Sequence, residues 1–180
     1  MKPLKYELEM VQVRLVPDRT LYSNKCIITP QDAVELLAEE LKTLDREVLC
    51  ILNLDGSHHV INANIASMGA ADCVMVDPKQ IFKSAILSNA NKIMLMHNHP
   101  SGSLNPSIQD LNVTKRLEEC GKLLGLQVLD HIIIGGGSGK FYSFKEFDLL
   151  DQGEEFGNLL GDVKANKKRE KRRKRHVRNV

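Results

Sequence analysis

The sequence predicts an α/β fold: one mixed β-sheet with helices packed on it. Three observations lead there. Short apolar runs of strand character alternate with longer stretches whose apolar residues recur every three or four positions. Two of the runs, Lys92-Ile93-Met94-Leu95-Met96 and Gln127-Val128-Leu129-Asp130-His131-Ile132-Ile133-Ile134, are apolar almost without a break, as strands buried on both faces are. The helical stretches open on capping residues, at Thr29-Pro30, Asp77-Pro78 and Ser107.

Taken in order, residues 6–16 alternate well enough for a strand with one wet face. Thr29 caps a helix with Pro30 in its first position, and Val34, Leu37, Leu41 and Leu44 form its apolar stripe. Two strands follow, Glu47 to Leu54 and His59 to Ile65. The Asp55-Gly56 pair between them signals a hairpin whose connection can run a residue or two longer. Asp77 caps a second helix that turns Ile81, Phe82, Ala85 and Ile86 inward and ends in Ser88-Asn89-Ala90-Asn91. The buried strand beginning at Lys92 comes next, and Pro100 ends its ladder because it has no N–H to donate. A third helix from Ser107 shows Leu111, Val113, Leu117 and Leu123 before Gly125. The second buried strand closes on the glycines at 135–139. A short strand over Lys140 to Phe144 and a short helix near Lys145 to Leu150 complete the domain. No internal repeat shows.

At 180 residues and 42% apolar content, the chain suggests one domain with a real core. No run approaches the roughly eighteen apolar residues of a membrane span. The opening Met1-Lys2-Pro3-Leu4-Lys5 leads into no apolar signal segment, so a cytoplasmic protein is expected. Cys26, Cys50, Cys73 and Cys120 are scattered and form no Cys-x-x-Cys pair, which favours reduced structural thiols. Charge is unevenly spread. Residues 164–180 hold ten Lys or Arg against Glu170 alone, a net of +9, and the rest of the chain carries −7.

The chemistry gathers at His97-Asn98-His99-Pro100-Ser101-Gly102. Two histidines one residue apart share a face of an extended strand. Asp110, eleven residues past His99, stands at the start of the next helix, where a turn of that length can bring it back against the strand end. Two imidazoles and one carboxylate, with a fourth position left to water, make the ligand set of a catalytic zinc site. Ser107 and Asp110 also read as a capping box, and a capped helix start is a rigid mount for a ligand. Water acidified by a metal still needs a carboxylate to carry its proton. Glu47 is the candidate, set in the polar opening Asp45-Arg46-Glu47 of an apolar strand; an ordinary solvated acid is the other reading. Glu35, Glu39 and Glu40 lie on the polar side of a helix, and His58-His59 point to opposite faces, so neither group suits the site. The letters His-Asn-His on one strand do not build the dispersed nuclease motif of that name. The His-x-Glu and Pro-Cys-x-x-Cys signature of a zinc deaminase is absent.

Glu47, His97-x-His99, Ser107 and Asp110 together resemble the JAMM (MPN-type) metallohydrolase motif. The string His97 to Gly102, with Asp130-His131-Ile132-Ile133-Ile134-Gly135, is similar to the RadC-like branch of that family. The resemblance implies a RadC-like JAMM/MPN domain over residues 26–150, with a fold like that of cytidine deaminases. It implies one Zn²⁺ per chain held by His97, His99 and Asp110. Glu47 would be the general acid/base and Ser107 the group that steadies an oxyanion. The implied reaction is cleavage of a peptide or isopeptide bond in a protein or peptide substrate. His131 belongs to the branch's pattern but receives no role from it. Longer relatives carry a helix-hairpin-helix DNA-binding region ahead of this domain, whereas here residues 1–25 form only an N-terminal extension, expected to hold one strand.

Residues 151–180 read as a linker and a disordered basic tail. Lys167, Lys168, Arg169, Lys171, Arg172, Arg173, Lys174 and Arg175 make a like-charge block without aromatics. Such a block can hold nucleic acid through salt-dependent charge alone, without base stacking. The alternative to a hydrolase is therefore a DNA-associated repair or accessory binding protein with a non-catalytic metal site. No membrane partner is expected.

Overall fold

In this computed structural model the residues described are 10–22, 26–69, 76–137 and 139–150. Eight elements run α1 (Pro30–Leu41), β1 (Val48–Leu54), β2 (Val60–Met68), α2 (Pro78–Leu87), β3 (Lys92–His99), α3 (Ile108–Leu124), β4 (Gln127–Gly135) and β5 (Phe141–Ser143). The five strands form one sheet in the order β2-β1-β3-β4-β5. Only β3 and β4 run parallel, joined across α3; the other neighbours are antiparallel, so the sheet is mixed as expected.

The alternating side chains of the central strands sort into two cores. Cys50, Leu52, Leu54, Met94, Met96, Ile132 and Ile134 pack with Val34, Leu37 and Leu41 of α1 on one face. Leu49, Ile51, Ile93 and Leu95 pack with Ile81, Phe82 and Ala85 of α2 and Leu117 of α3 on the other. The sheet is therefore the middle of three layers, and β1 and β3 are buried almost throughout. Each helix starts where its cap dictates. Thr29 and Ser107 make reciprocal capping boxes with Asp32 and Asp110, and Asp77 accepts from the Lys79 N–H.

Several expectations need correcting. No strand forms over residues 10–16, where Met10, Val11, Val13 and Val16 stand exposed and pair with no strand among the described residues; residues 6–9 lie outside the described residues. Ile86 is 56% exposed, and Ser84 faces inward in its place, accepting from the buried Asn53 amide. On α3 the inner face is Thr114, Leu117, Glu118 and Gly121, while Leu111 and Leu123 face outward, Leu123 at 89% exposure. No helix forms over 145–150. Phe147 and Asp148 close single turns onto Ser143 and Lys145, and Asp148 at φ 54° leaves the helical region. The β1–β2 connection runs Asp55 to His59, closed by the Asp55 and His58 N–H groups.

Cys50 is buried, Cys26 and Cys120 are half-buried, and all three are free thiols; Cys73 lies outside the described residues. Burial pushes the Cys50 thiol up to about 12, which makes it unreactive. Among the described residues no helix is long and apolar enough to cross a membrane. The basic run from Lys167 to Arg175 lies outside the described residues.

Candidate metal centre

β3 places two histidines at the end of the sheet's central row. Ile93 and Leu95 lie in the core beneath α2 and α3, and the same face continues outward as His97 and His99, both still buried. The chain then turns sharply. Gly102, at φ +79°, and Gly136 both donate their N–H to the His99 carbonyl, at 2.9 and 3.0 Å. Five residues past Gly102, Ser107 caps α3 and sets Asp110 at its third position. The aligned peptide dipoles of the helix favour a negative charge there. The junction of a parallel strand's carboxyl end with the following helix is where α/β sheets gather ligands.

The resulting group is compact. His97 Nε2 lies 2.9 Å from His99 Nε2 and 3.4 Å from Asp110 Oδ1, and His99 Nε2 lies 3.7 Å from Asp110 Oδ2. One donor atom from each residue falls within 4.8 Å of the others. His99 Nδ1–H donates to the Ser103 carbonyl at 2.9 Å, which leaves the Nε2 lone pair turned to the centre. Two facing Nε2 atoms at 2.9 Å require a proton or a cation between them. Two imidazole nitrogens and a carboxylate oxygen on one point are the donor set of a borderline divalent ion such as zinc. The residues fit a metal ion.

The electrostatics agree. Burial pushes the His97 imidazole down to about 4, so it stands neutral as a ligand must. The Asp110 carboxylate 3.7 Å away favours a charged ring and raises His99 above its ordinary value, against the effect of its own burial. Burial also works against charge on Asp110. The neighbouring His99 and His97 rings and the Ser107 hydroxyl and N–H nevertheless hold its carboxyl well below the usual carboxylate range.

Glu47 and Ser107 join the same cleft, which Ser101, Ser103, Asn105 and Gln109 also line. Glu47 Oε1 stands 4.0 Å from His99 Nε2. Ser107 Oγ–H donates to Asp110 Oδ2 at 2.6 Å, while its oxygen accepts the Asp110 N–H at 3.1 Å. All five residues expected from the sequence are thus brought together, whereas the tail cations lie outside the described residues. His58 and His59 are engaged at the far end of the sheet, with Lys92 and Asp55. Glu39 pairs with Lys42, and Glu40 with Arg19.

Three further residues were not assigned from the sequence. Asn98 faces the α1 layer, fully buried. Its Oδ1 accepts the Val48 N–H at 2.8 Å and its Nδ2 donates to the Arg46 carbonyl at 2.9 Å, so it grips the backbone on both sides of Glu47. Behind His97, His131 Nε2 lies 2.8 Å from His97 Nδ1, and Thr114 Oγ1 lies 2.6 Å from His131 Nδ1. The period-two pattern could have turned Asn98 away from its neighbours, though nothing in the sequence names its partners. His131 was visible in the motif. Thr114 carries no sequence signal.

Fold and site together define an α/β domain with a His-His-Asp group suited to a metal ion at a strand–helix junction. Residues 27–149 match the RadC-like JAB domain family, and the chain belongs to that family. It is 43% identical over 124 residues to a UPF0758 protein of Clostridium perfringens, covering 69% of this chain and 54% of the relative. A UPF0758 protein of Desulfitobacterium hafniense matches at 43% over 124 residues with the same coverage. One from Clostridium tetani matches at 42% over 127 residues, 71% of this chain and 55% of the relative. The chain spans about half the length of the curated relatives it matches.

Proposed function

We propose that this chain is a zinc-dependent hydrolase that cleaves an amide bond, peptide or isopeptide, in a protein or peptide substrate. One observation carries the reading. A donor set open on one side lies beside an additional carboxylate, Glu47, at the floor of a cleft. A purely structural zinc usually fills its fourth position with protein.

His97 Nε2, His99 Nε2 and an Asp110 oxygen would hold the ion. When bound, it supplies a Lewis acid that polarises a carbonyl and acidifies water. Glu47 Oε1 takes the proton of the attacking water and returns it to the leaving nitrogen, the exchange a positioned carboxylate performs in general acid–base catalysis. Ser107 can steady a developing oxyanion only after its hydroxyl proton swings away from Asp110 Oδ2, its present acceptor. The rim offers neutral hydrogen-bonding groups, Ser101, Ser103, Asn105 and Gln109, and no Lys or Arg among the described residues lining it. That composition suits an uncharged amide better than a phosphodiester, which would need counter-charge.

The test is elemental analysis of gently purified wild type beside His97→Ala, Asp110→Ala and Glu47→Gln. About one zinc per chain is expected in wild type and in Glu47→Gln, and none in the two ligand variants. On a panel of fluorogenic peptide and isopeptide substrates, Glu47→Gln should lower turnover by about 10²–10⁴-fold. Wild type that holds no metal and takes up none overturns the hydrolase reading. Full activity in Glu47→Gln removes that residue from the mechanism.

A further inference from the structure

We infer that Thr114 and His131 are positioning residues: a hydrogen-bond relay that locks His97 in the one tautomer able to ligate a metal. The inference rests on the metal centre proposed above.

Donor–acceptor accounting sets the direction of the relay. Thr114 Oγ1 has one proton, and it lies 2.6 Å from the Asp110 carbonyl, which can only accept. The hydroxyl proton is therefore committed to Asp110. The contact between Thr114 Oγ1 and His131 Nδ1, also 2.6 Å, then needs its proton from the ring, so His131 carries hydrogen on Nδ1. His131 Nε2 is left as an acceptor. Its partner 2.8 Å away, His97 Nδ1, must donate, and the His97 lone pair is forced onto Nε2, the atom that faces His99 and Asp110. Each step has one solution while His131 is neutral.

The surroundings keep it neutral and still. His131 is almost wholly buried, and its ring stacks on Phe144 with centroids 4.6 Å apart at 23°. Register brings it there: β4 runs parallel to β3 with His131 beside Leu95 and Ile133 beside His97, which puts the His131 ring on the His97 face one step inward. Thr114 lies one helical turn past Asp110 on the same side of α3. The relay therefore starts at the backbone of one ligand and ends on the ring of another. It fixes the spacing of strand and helix and the tautomer together. Metal-binding histidines gain affinity when their second ring nitrogen is held in this way, and loss of such a partner typically weakens metal binding about 10–100-fold.

Two measurements on the whole 180-residue chain test it. Long-range ¹H–¹⁵N spectra of metal-free, histidine-labelled wild type should show His97 and His131 both protonated on Nδ1; a proton on His97 Nε2 in place of Nδ1 overturns the relay. Zinc affinity, read by competition with a chromophoric chelator, should fall about 10–100-fold in Thr114→Val and stay within a few-fold of wild type in Thr114→Ser. Valine matches threonine in shape but neither donates nor accepts, and serine restores only the hydroxyl, so the pair separates the hydrogen bond from packing. Equal affinity in wild type and Thr114→Val, or an equal fall in both variants, overturns the inference. Failure of wild type to bind zinc at all overturns the metal centre itself, and the tautomer spectra still decide the relay.

Discussion

Asn98 sits between the two histidines and faces away from them. Strand alternation sends its side chain to the α1 side, where it binds the Val48 N–H and the Arg46 carbonyl. Asn98→Asp keeps an acceptor for Val48 but loses the donor to Arg46 and sets a buried carboxylate against a carbonyl oxygen. We expect a loss of about 1–3 kcal/mol in denaturant-derived stability. Turnover on any peptide the wild type cleaves should fall as Glu47 loosens. Zinc content should remain near one per chain, because His97 and His99 occupy the opposite face. Loss of zinc in this variant would show that the two faces of β3 are not independent. The same alternation explains what could be read beforehand. His-x-His on a buried run dictates a shared face, and Ser107 three residues before Asp110 dictates a cap, so the grouping of His97, His99 and Asp110 was legible. The roles of Thr114 and His131 depend on β3–β4 register, which aligns residues 34 positions apart, and no local pattern encodes that.

α3 carries Asp110 and Thr114 and must lie close against the start of β4. Gly121 makes this approach possible: a Cβ at that position would meet the Leu126 carbonyl oxygen at 2.4 Å. Alanine would gain up to about 1 kcal/mol of helix propensity at Gly121. Forcing backbone apart typically costs about 1–3 kcal/mol, so the clash should win. Gly121→Ala is expected to lower the urea midpoint; an unchanged or higher midpoint would mean that the turn into β4 yields freely. Helices and strands were legible where local chemistry and burial agree, as at Thr29-Pro30 or in the apolar β1, β3 and β4. They were misread where tertiary contacts decide. The leucines of α3 suggest a stripe through Leu111 and Leu123, yet the buried stripe holds Thr114, Glu118 and Gly121, because that side must bond to the metal region and admit a backbone. Residues 10–16 have a strand-like pattern but no partner strand among the described residues, and Lys145 to Leu150 make turns around a left-handed Asp148.

The candidate metal centre ties together parts that otherwise meet only through packing. His97 and His99 belong to the middle strand of the sheet, Asp110 to a helix in one covering layer, and Glu47 to the connection from the opposite layer, where α1 ends. The unfolded chain has no such arrangement, so the free energy of a metal bound there would become folding free energy. With free zinc held 100-fold above its dissociation constant, linkage gives about 2.7 kcal/mol of added stability. For a chain of this size that corresponds to a rise in Tm of about 5–10 °C. Thermal unfolding followed by circular dichroism should show this rise when zinc is added to chelator-stripped wild type, and EDTA should reverse it. Asp110→Ala should unfold at one temperature with or without zinc, since two histidines alone leave the ion without its anionic ligand. An equal zinc-induced rise in that variant would place the stabilising ion elsewhere on the molecule. The comparison thus locates the metal by its effect on the whole fold, without requiring a substrate.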